Sequence, residues 1–102
     1  MKYISVEELK EKLQSGQSIH LIDVREPVEH NEFNIGGLLI PLGRIQQMQI
    51  EEIEHLKNDE VILYCRSGNR SNLGCMVLET MGFTNTVNLA GGMLDWQRKF
   101  GS

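Results

Sequence analysis

Val61-Ile62-Leu63-Tyr64-Cys65-Arg66-Ser67-Gly68-Asn69-Arg70-Ser71 decides how this chain is read. Its first four residues, apolar without a break, predict a strand buried on both faces. A cysteine follows, then a tight polar loop with a glycine in its middle. Leu73, Gly74, Cys75, Val77, Leu78 and Met81 then recur in a pattern that predicts a helix. A cysteine at the carboxyl end of a strand lies where open α/β sheets place their ligands. A short loop whose N–H groups curl inward and open into a helix amino terminus favours negative charge at its centre. Here that centre is the Cys65 sulfur. Such surroundings lower a thiol pKa from about 8.5 to roughly 3.5–7.5, which makes the nucleophilic thiolate dominant at neutral pH. Arg66 and Arg70 bracket the loop with positive charge. A buried structural cysteine would account for Cys65 alone, but not for the two arginines, Gly68 and the polar run around them.

The length of 102 residues predicts one domain, 1–102, with a modest core. Apolar content of 40% and charged content of 24% place the chain among ordinary globular proteins. A formal charge of −4, with no basic stripe or tail, argues against a direct nucleic-acid binder. No apolar run approaches the roughly 20 residues that span a bilayer, so no membrane partner is expected. The start, Met1-Lys2-Tyr3-Ile4-Ser5-Val6-Glu7-Glu8, lacks the apolar core of a signal peptide. A cytoplasmic location is therefore expected, where thiols stay reduced. Cys65 and Cys75 form no C-x-x-C pair, and His20, His30 and His55 are scattered, so no metal site is expected.

Tyr3-Ile4 predicts a short strand. Ser5 and Glu8 have the spacing of a capping box, and Val6, Leu9 and Leu13 recur at helical intervals, so a helix is expected to about Gln14, stopped by Ser15-Gly16. Ile19 to Val24 predicts a second strand, with His20 a near-surface strand residue. Pro27 suits the first turn of a short helix over Val28–Phe33. Glu26 reads as solvated loop. Asp23 and Arg25, at the strand edge expected to carry Cys65, are expected to pin the catalytic loop through charge-assisted hydrogen bonds. Asn34-Ile35-Gly36-Gly37 reads as a turn, and Leu38 to Pro41 as an apolar strand. Leu42, Ile45 and Met48, then Ile50, Ile53 and Leu56, mark one or two helical segments against the sheet. Met48 and Met93 are expected as core filler. The helix from Ser71 to about Met81 closes on Gly82. Thr86 to Leu89 predicts a last strand, and Met93, Leu94, Trp96 and Phe100 a last helix, with Trp96 in the core or walling the pocket. Cys75 reads as a buried core thiol. Short strands alternating with helices predict an α/β domain with a parallel sheet.

Cys65-Arg66-Ser67-Gly68-Asn69-Arg70-Ser71 resembles the active loop of rhodanese-like sulfurtransferase domains. Ile22-Asp23-Val24-Arg25-Glu26, Ile40-Pro41-Leu42, Met81-Gly82-Phe83 and Asn88-Leu89-Ala90-Gly91-Gly92-Met93-Leu94-Asp95-Trp96 are similar to further landmarks of that family. The resemblance implies a three-layer α/β fold with a mostly parallel, five-stranded sheet flanked by helices. It implies a sulfurtransferase in which Cys65 carries sulfur as a persulfide. Substrate would be held by Arg66, Ser67, Gly68, Asn69 and Arg70, with N–H groups from Arg66 through Arg70 forming the cup. The partners implied are a small anionic sulfur donor and an acceptor thiol or partner protein, and no cofactor is required. One segment departs from the family pattern. Glu32-Phe33-Asn34-Ile35-Gly36-Gly37 stands where a Gly-His-Ile segment is common, so no role of that histidine carries over. A phosphatase or arsenate reductase also uses a thiolate in an anion-binding loop, but four residues separate Cys65 from Arg70 here, and phosphatase loops are longer. A non-catalytic binding module would typically have lost the cysteine.

Overall fold

The computed structural model describes residues 1–101. Lys2–Ile4 (β1), Leu21–Asp23 (β2), Leu38–Leu39 (β3), Val61–Tyr64 (β4) and Thr86–Leu89 (β5) make one sheet in the order β1-β5-β4-β2-β3. Every pairing is parallel, where the sequence implied mostly parallel. The helices are Val6–Gln14 (α1), Pro27–Glu32 (α2), Leu42–Gln46 (α3), Asn69–Thr80 (α4) and Gly92–Phe100 (α5), with a 3-10 helix at Glu51–Leu56. None is long and apolar enough to cross a membrane among the described residues.

The central strand carries the logic of the packing. Its side chains alternate, and both faces are covered, as expected of a parallel sheet. Val61, Leu63 and Cys65 join Ile45, Ile53 and Leu78 under α3, the 3-10 helix and α4. Ile62 and Tyr64 join Val6, Leu9, Met93 and Trp96 under α1 and α5. Each such fully buried side chain stabilises the fold by roughly 1.5–3 kcal/mol. Cys65 thus inherits its orientation from the strand. As the next odd residue after Leu63, it falls on the face that α4 covers. Gly74 lets α4 lie close there, since a Cβ on it would come within 2.9 Å of Leu63.

Chain direction fixes where the site must be. From β2 the chain moves outward to β3, whereas from β4 it moves the other way to β5. The switch point between β2 and β4 opens a crevice at their carboxyl ends, the usual ligand position of such sheets. The ends of β2 and β4 meet there, with the Val24 N–H donating to the Tyr64 carbonyl at 3.0 Å.

Several local expectations are met in detail. Ser5 and Glu8 close the capping box at the start of α1, and Pro27 is the first residue of α2. Met93 and Trp96 are buried. Met48 is a correction: it is 68% exposed and has φ +61°. Gln47 and Met48 close α3 by bonds to carbonyls of that helix, so the side chain is turned out of the core. Ile50, Ile53 and Leu56 reach the core from a 3-10 helix, whose period of three matches their spacing.

Candidate active site

Cys65 follows the last residue of β4 and is 1% exposed. Gly68 turns the chain with φ +104°, a conformation that glycine adopts without steric cost, and stands as the N-cap of α4. With no side-chain cap from Gly68, the first turn of α4 lacks acceptors for its N–H groups. The Cys65 sulfur fills that place. Sγ accepts from the Gly68 N–H at 3.1 Å and from the Ser71 N–H at 3.4 Å, and lies 3.4 Å from Ser71 Oγ. Burial opposes ionisation of the thiol. Hydrogen bonds from Ser71 and from the N–H groups of Gly68 and Ser67 outweigh it, and the Cys65 pKa is lowered. Cys75 has no such cradle, and burial pushes its thiol up to about 12.

The loop is held from three sides. From α5, the N–H groups of Met93 and Leu94 donate to the carbonyls of Cys65 and Arg66, both at 2.9 Å. This close approach requires Gly92, where a Cβ would stand 2.5 Å from the Cys65 oxygen. From β5, buried Asn88 donates through Nδ2 to the Gly68 carbonyl at 3.1 Å and accepts from Ser71 Oγ at 2.5 Å. From α2, Glu29 takes both Nη1 and Nη2 of Arg70 at 2.7 and 2.8 Å. That fork holds the Glu29 carboxyl at about 2.

Of Arg66, Ser67, Gly68, Asn69 and Arg70, Gly68 bonds the sulfur directly, and the arrangement differs from the expected one in two ways. The cup extends one residue further than the expected Arg66–Arg70 span, since Ser71 also donates its N–H to the sulfur. The Arg70 guanidinium is committed to Glu29, whereas Arg66 is exposed and has no ion-pair partner among the described residues. Asp23 and Arg25 require a correction. They do not bond the Cys65 loop. Fully buried Asp23 accepts from the Arg25 backbone N–H and Nε at 3.0 Å and from Nη2 at 2.9 Å, and lies 2.8 Å from His30 Nδ1. Arg25 also donates to the Phe33 carbonyl at 2.6 Å. The pair anchors the carboxyl end of α2, through His30 in its last turn and the carbonyl of its C-cap Phe33, and the Arg25 guanidinium lies over the Tyr64 ring.

The sequence reading missed Glu29, His30, Ser71, Asn88 and Gly92 as site residues. Asn88 carried a signal. Asparagine is disfavoured within strands, so one inside a short buried strand needs partners of its own.

A cleft of about 240 Å³ lies beside the loop, lined by neutral groups including Tyr3, Ser67, Asn69, Asn72 and Asn88. A hollow of about 310 Å³ lies instead near the amino ends of β2 and β3, between His20, Leu38 and His55, where no nucleophile is present.

The sequence profile of the rhodanese-like domain matches residues 5–99. The putative sulfurtransferase YtwF of Bacillus subtilis is 40% identical over 99 residues, covering 95% of this chain and 91% of YtwF. The putative sulfur carrier protein YrkF of the same organism is 37% identical over 97 residues, and the match covers 94% of this chain but only 51% of YrkF. The chain thus spans about half the length of YrkF. The crystal structure of a rhodanese-like domain protein from Staphylococcus aureus superposes with a TM-score of 0.82 at 32% identity, covering 94% of this chain and 91% of that one.

Proposed function

The chain belongs to the rhodanese-like domain family, and on that premise we propose that residues 1–102 act as one sulfurtransferase domain that moves a sulfane sulfur through a persulfide on Cys65. The observation that carries the proposal is the buried sulfur at the amino end of α4, held by N–H groups and biased toward thiolate. The donor is thiosulfate or a polysulfide or persulfide, and the acceptor is a small thiophile, a thiol or a partner protein.

In the first step a lone pair of the Cys65 thiolate forms a bond to the outer sulfur of the donor. The donor S–S bond breaks with both electrons leaving on its remainder, which is sulfite in the case of thiosulfate. In the second step the acceptor attacks the outer sulfur of the persulfide, and Sγ leaves as thiolate. The reaction is two-step covalent catalysis. The N–H groups of Gly68 and Ser71 are already aimed at Sγ, so they stabilise the charge that returns to it without reorganising. Exposed Arg66 attracts an anionic donor to the loop. Arg70, gripped by Glu29, holds the loop against α2. The short loop, with donors converging on the sulfur itself, favours one sulfur atom over a tetrahedral oxyanion.

Initial rates with thiosulfate and cyanide test the scheme. Parallel double-reciprocal lines, absent activity in Cys65→Ser and no hydrolysis of an aryl phosphate are the expected results. Intersecting lines, or phosphate release from the aryl ester, would overturn it.

A further inference from the structure

Ser71 has one hydroxyl proton and two acceptors within reach. Its oxygen lies 2.5 Å from Asn88 Oδ1 and 3.4 Å from Cys65 Sγ. Asn88 cannot turn its amide to avoid the contest, because its Nδ2 is donating to the Gly68 carbonyl. Ser71 is fully buried, Asn88 is 3% exposed and Cys65 is 1% exposed, so water offers little alternative. A hydroxyl donates only once, and the shorter contact puts that proton on Asn88.

We propose that Asn88 is a positioning residue that holds the Ser71 hydroxyl off the sulfur while Sγ is uncharged and yields it to Sγ when the thiolate forms. A persulfide Sγ, bonded to carbon and to sulfur, is a weak acceptor, and the hydroxyl stays on Asn88. As the outer sulfur departs, charge grows on Sγ. Hydrogen bonds to charged acceptors are roughly twice as strong as neutral ones, so the hydroxyl rotates toward the sulfur. The proton remains on the Ser71 oxygen throughout, and no bond other than the hydrogen bond changes. An interaction that strengthens only as charge develops lowers the barrier rather than merely binding the ground state. This catalytic consequence rests on the persulfide reading above, but the contest for the hydroxyl exists in the unmodified protein and is tested there.

Removing Asn88 takes one donor from the Gly68 carbonyl but leaves it the Asn72 N–H at 3.0 Å. The charged groups on the elements around the loop stay the same across the variants. They are Arg70 with Glu29 of α2, exposed Arg66, Asp23 with Arg25 and His30 beyond β2, and Asp95 of α5 with Arg98 and Lys99.

The test is the pH midpoint of iodoacetamide alkylation of Cys65 in wild type, Ser71→Ala, Asn88→Ala and the double variant. Ser71→Ala is expected to raise the midpoint, because a donor to the thiolate is lost. Asn88→Ala is expected to lower it, because the hydroxyl is freed, and to have no effect in the Ser71→Ala background. A midpoint raised by Asn88→Ala, or a shift that persists without Ser71, overturns the proposal and leaves Asn88 a loop support. A second readout needs no Asn88 variant. The side-chain carbonyl 13C shift of Asn88 is expected to follow Cys65 titration in wild type and to stay constant in Ser71→Ala. A constant shift in wild type overturns the proposal. Failure of sulfur loading alongside these results would count against the persulfide reading alone.

Discussion

Glu29 and Arg70 meet as two forks, with both guanidinium nitrogens at 2.7 and 2.8 Å from the two carboxylate oxygens. This pair joins α2, after β2, to the first turn of α4, after β4, across the switch point of the sheet. Paired this way, Arg70 braces the cup, and its charge lies where it also favours the thiolate.

Glu29→Gln is expected to lower kcat/KM for thiosulfate about tenfold through a looser loop, and to cost on the order of 1 kcal/mol of stability for a partly exposed pair. The pH dependence has a definite sign. The folded-state pKa is depressed from 4.5 to about 2, so the stabilisation is full above pH 4.5 and is lost as pH falls toward 2. Urea unfolding of wild type and Glu29→Gln should therefore differ at about pH 6 and converge near pH 2.

The two thiols should separate cleanly. Cys65 is expected to alkylate with a midpoint below that of an ordinary cysteine, about 8.5, whereas Cys75, with its thiol pushed up to about 12, stays unmodified in the folded protein. Peptide mass mapping after brief iodoacetamide treatment reads both sites. Equal labelling of the two would contradict the geometry.

Two glycines with positive φ make a controlled comparison. At Gly92 a Cβ would meet the Cys65 oxygen at 2.5 Å and the Arg66 oxygen at 2.6 Å, whereas at Gly36 nothing lies within 4 Å. Both alanine variants carry backbone strain of about 1–3 kcal/mol. Only Gly92→Ala is expected to displace the loop as well, with loss of most sulfurtransferase activity. Gly36→Ala should keep its activity when assayed below its melting temperature.

Arg25 gives the converse prediction. Arg25→Met leaves the fully buried Asp23 carboxylate without its fork, at a cost of about 3 kcal/mol or more. Because neither residue touches the Cys65 loop, the alkylation midpoint of Cys65 should stay near the wild-type value. A large shift in that midpoint would restore the direct contact expected from the sequence.

These cases also show which parts of the site could be read from the residues. Strand β4, its cysteine and the glycine turn were legible because apolar runs, a positive-φ residue and a helix start leave local marks. The capping box and Pro27 were legible for the same reason. The partners of Asp23 and Arg25 were not, because position at a strand edge does not say which way a long side chain folds. Glu29 and Asn88 are separated from their loop partners by 41 and 20 residues or fewer, and no periodicity links such positions. Met48 failed because helical spacing was extended two residues beyond Gln46, where α3 ends. The spacing of Ile50, Ile53 and Leu56 already held the sign of a 3-10 helix.

The central claim is that Cys65 carries the sulfur. Intact mass after incubation with thiosulfate, for wild type and Cys65→Ser, tests it most directly. The account predicts a gain of one sulfur atom in wild type, reversed by cyanide and absent from the variant. No gain with thiosulfate or polysulfide, or an equal gain in Cys65→Ser, would contradict it.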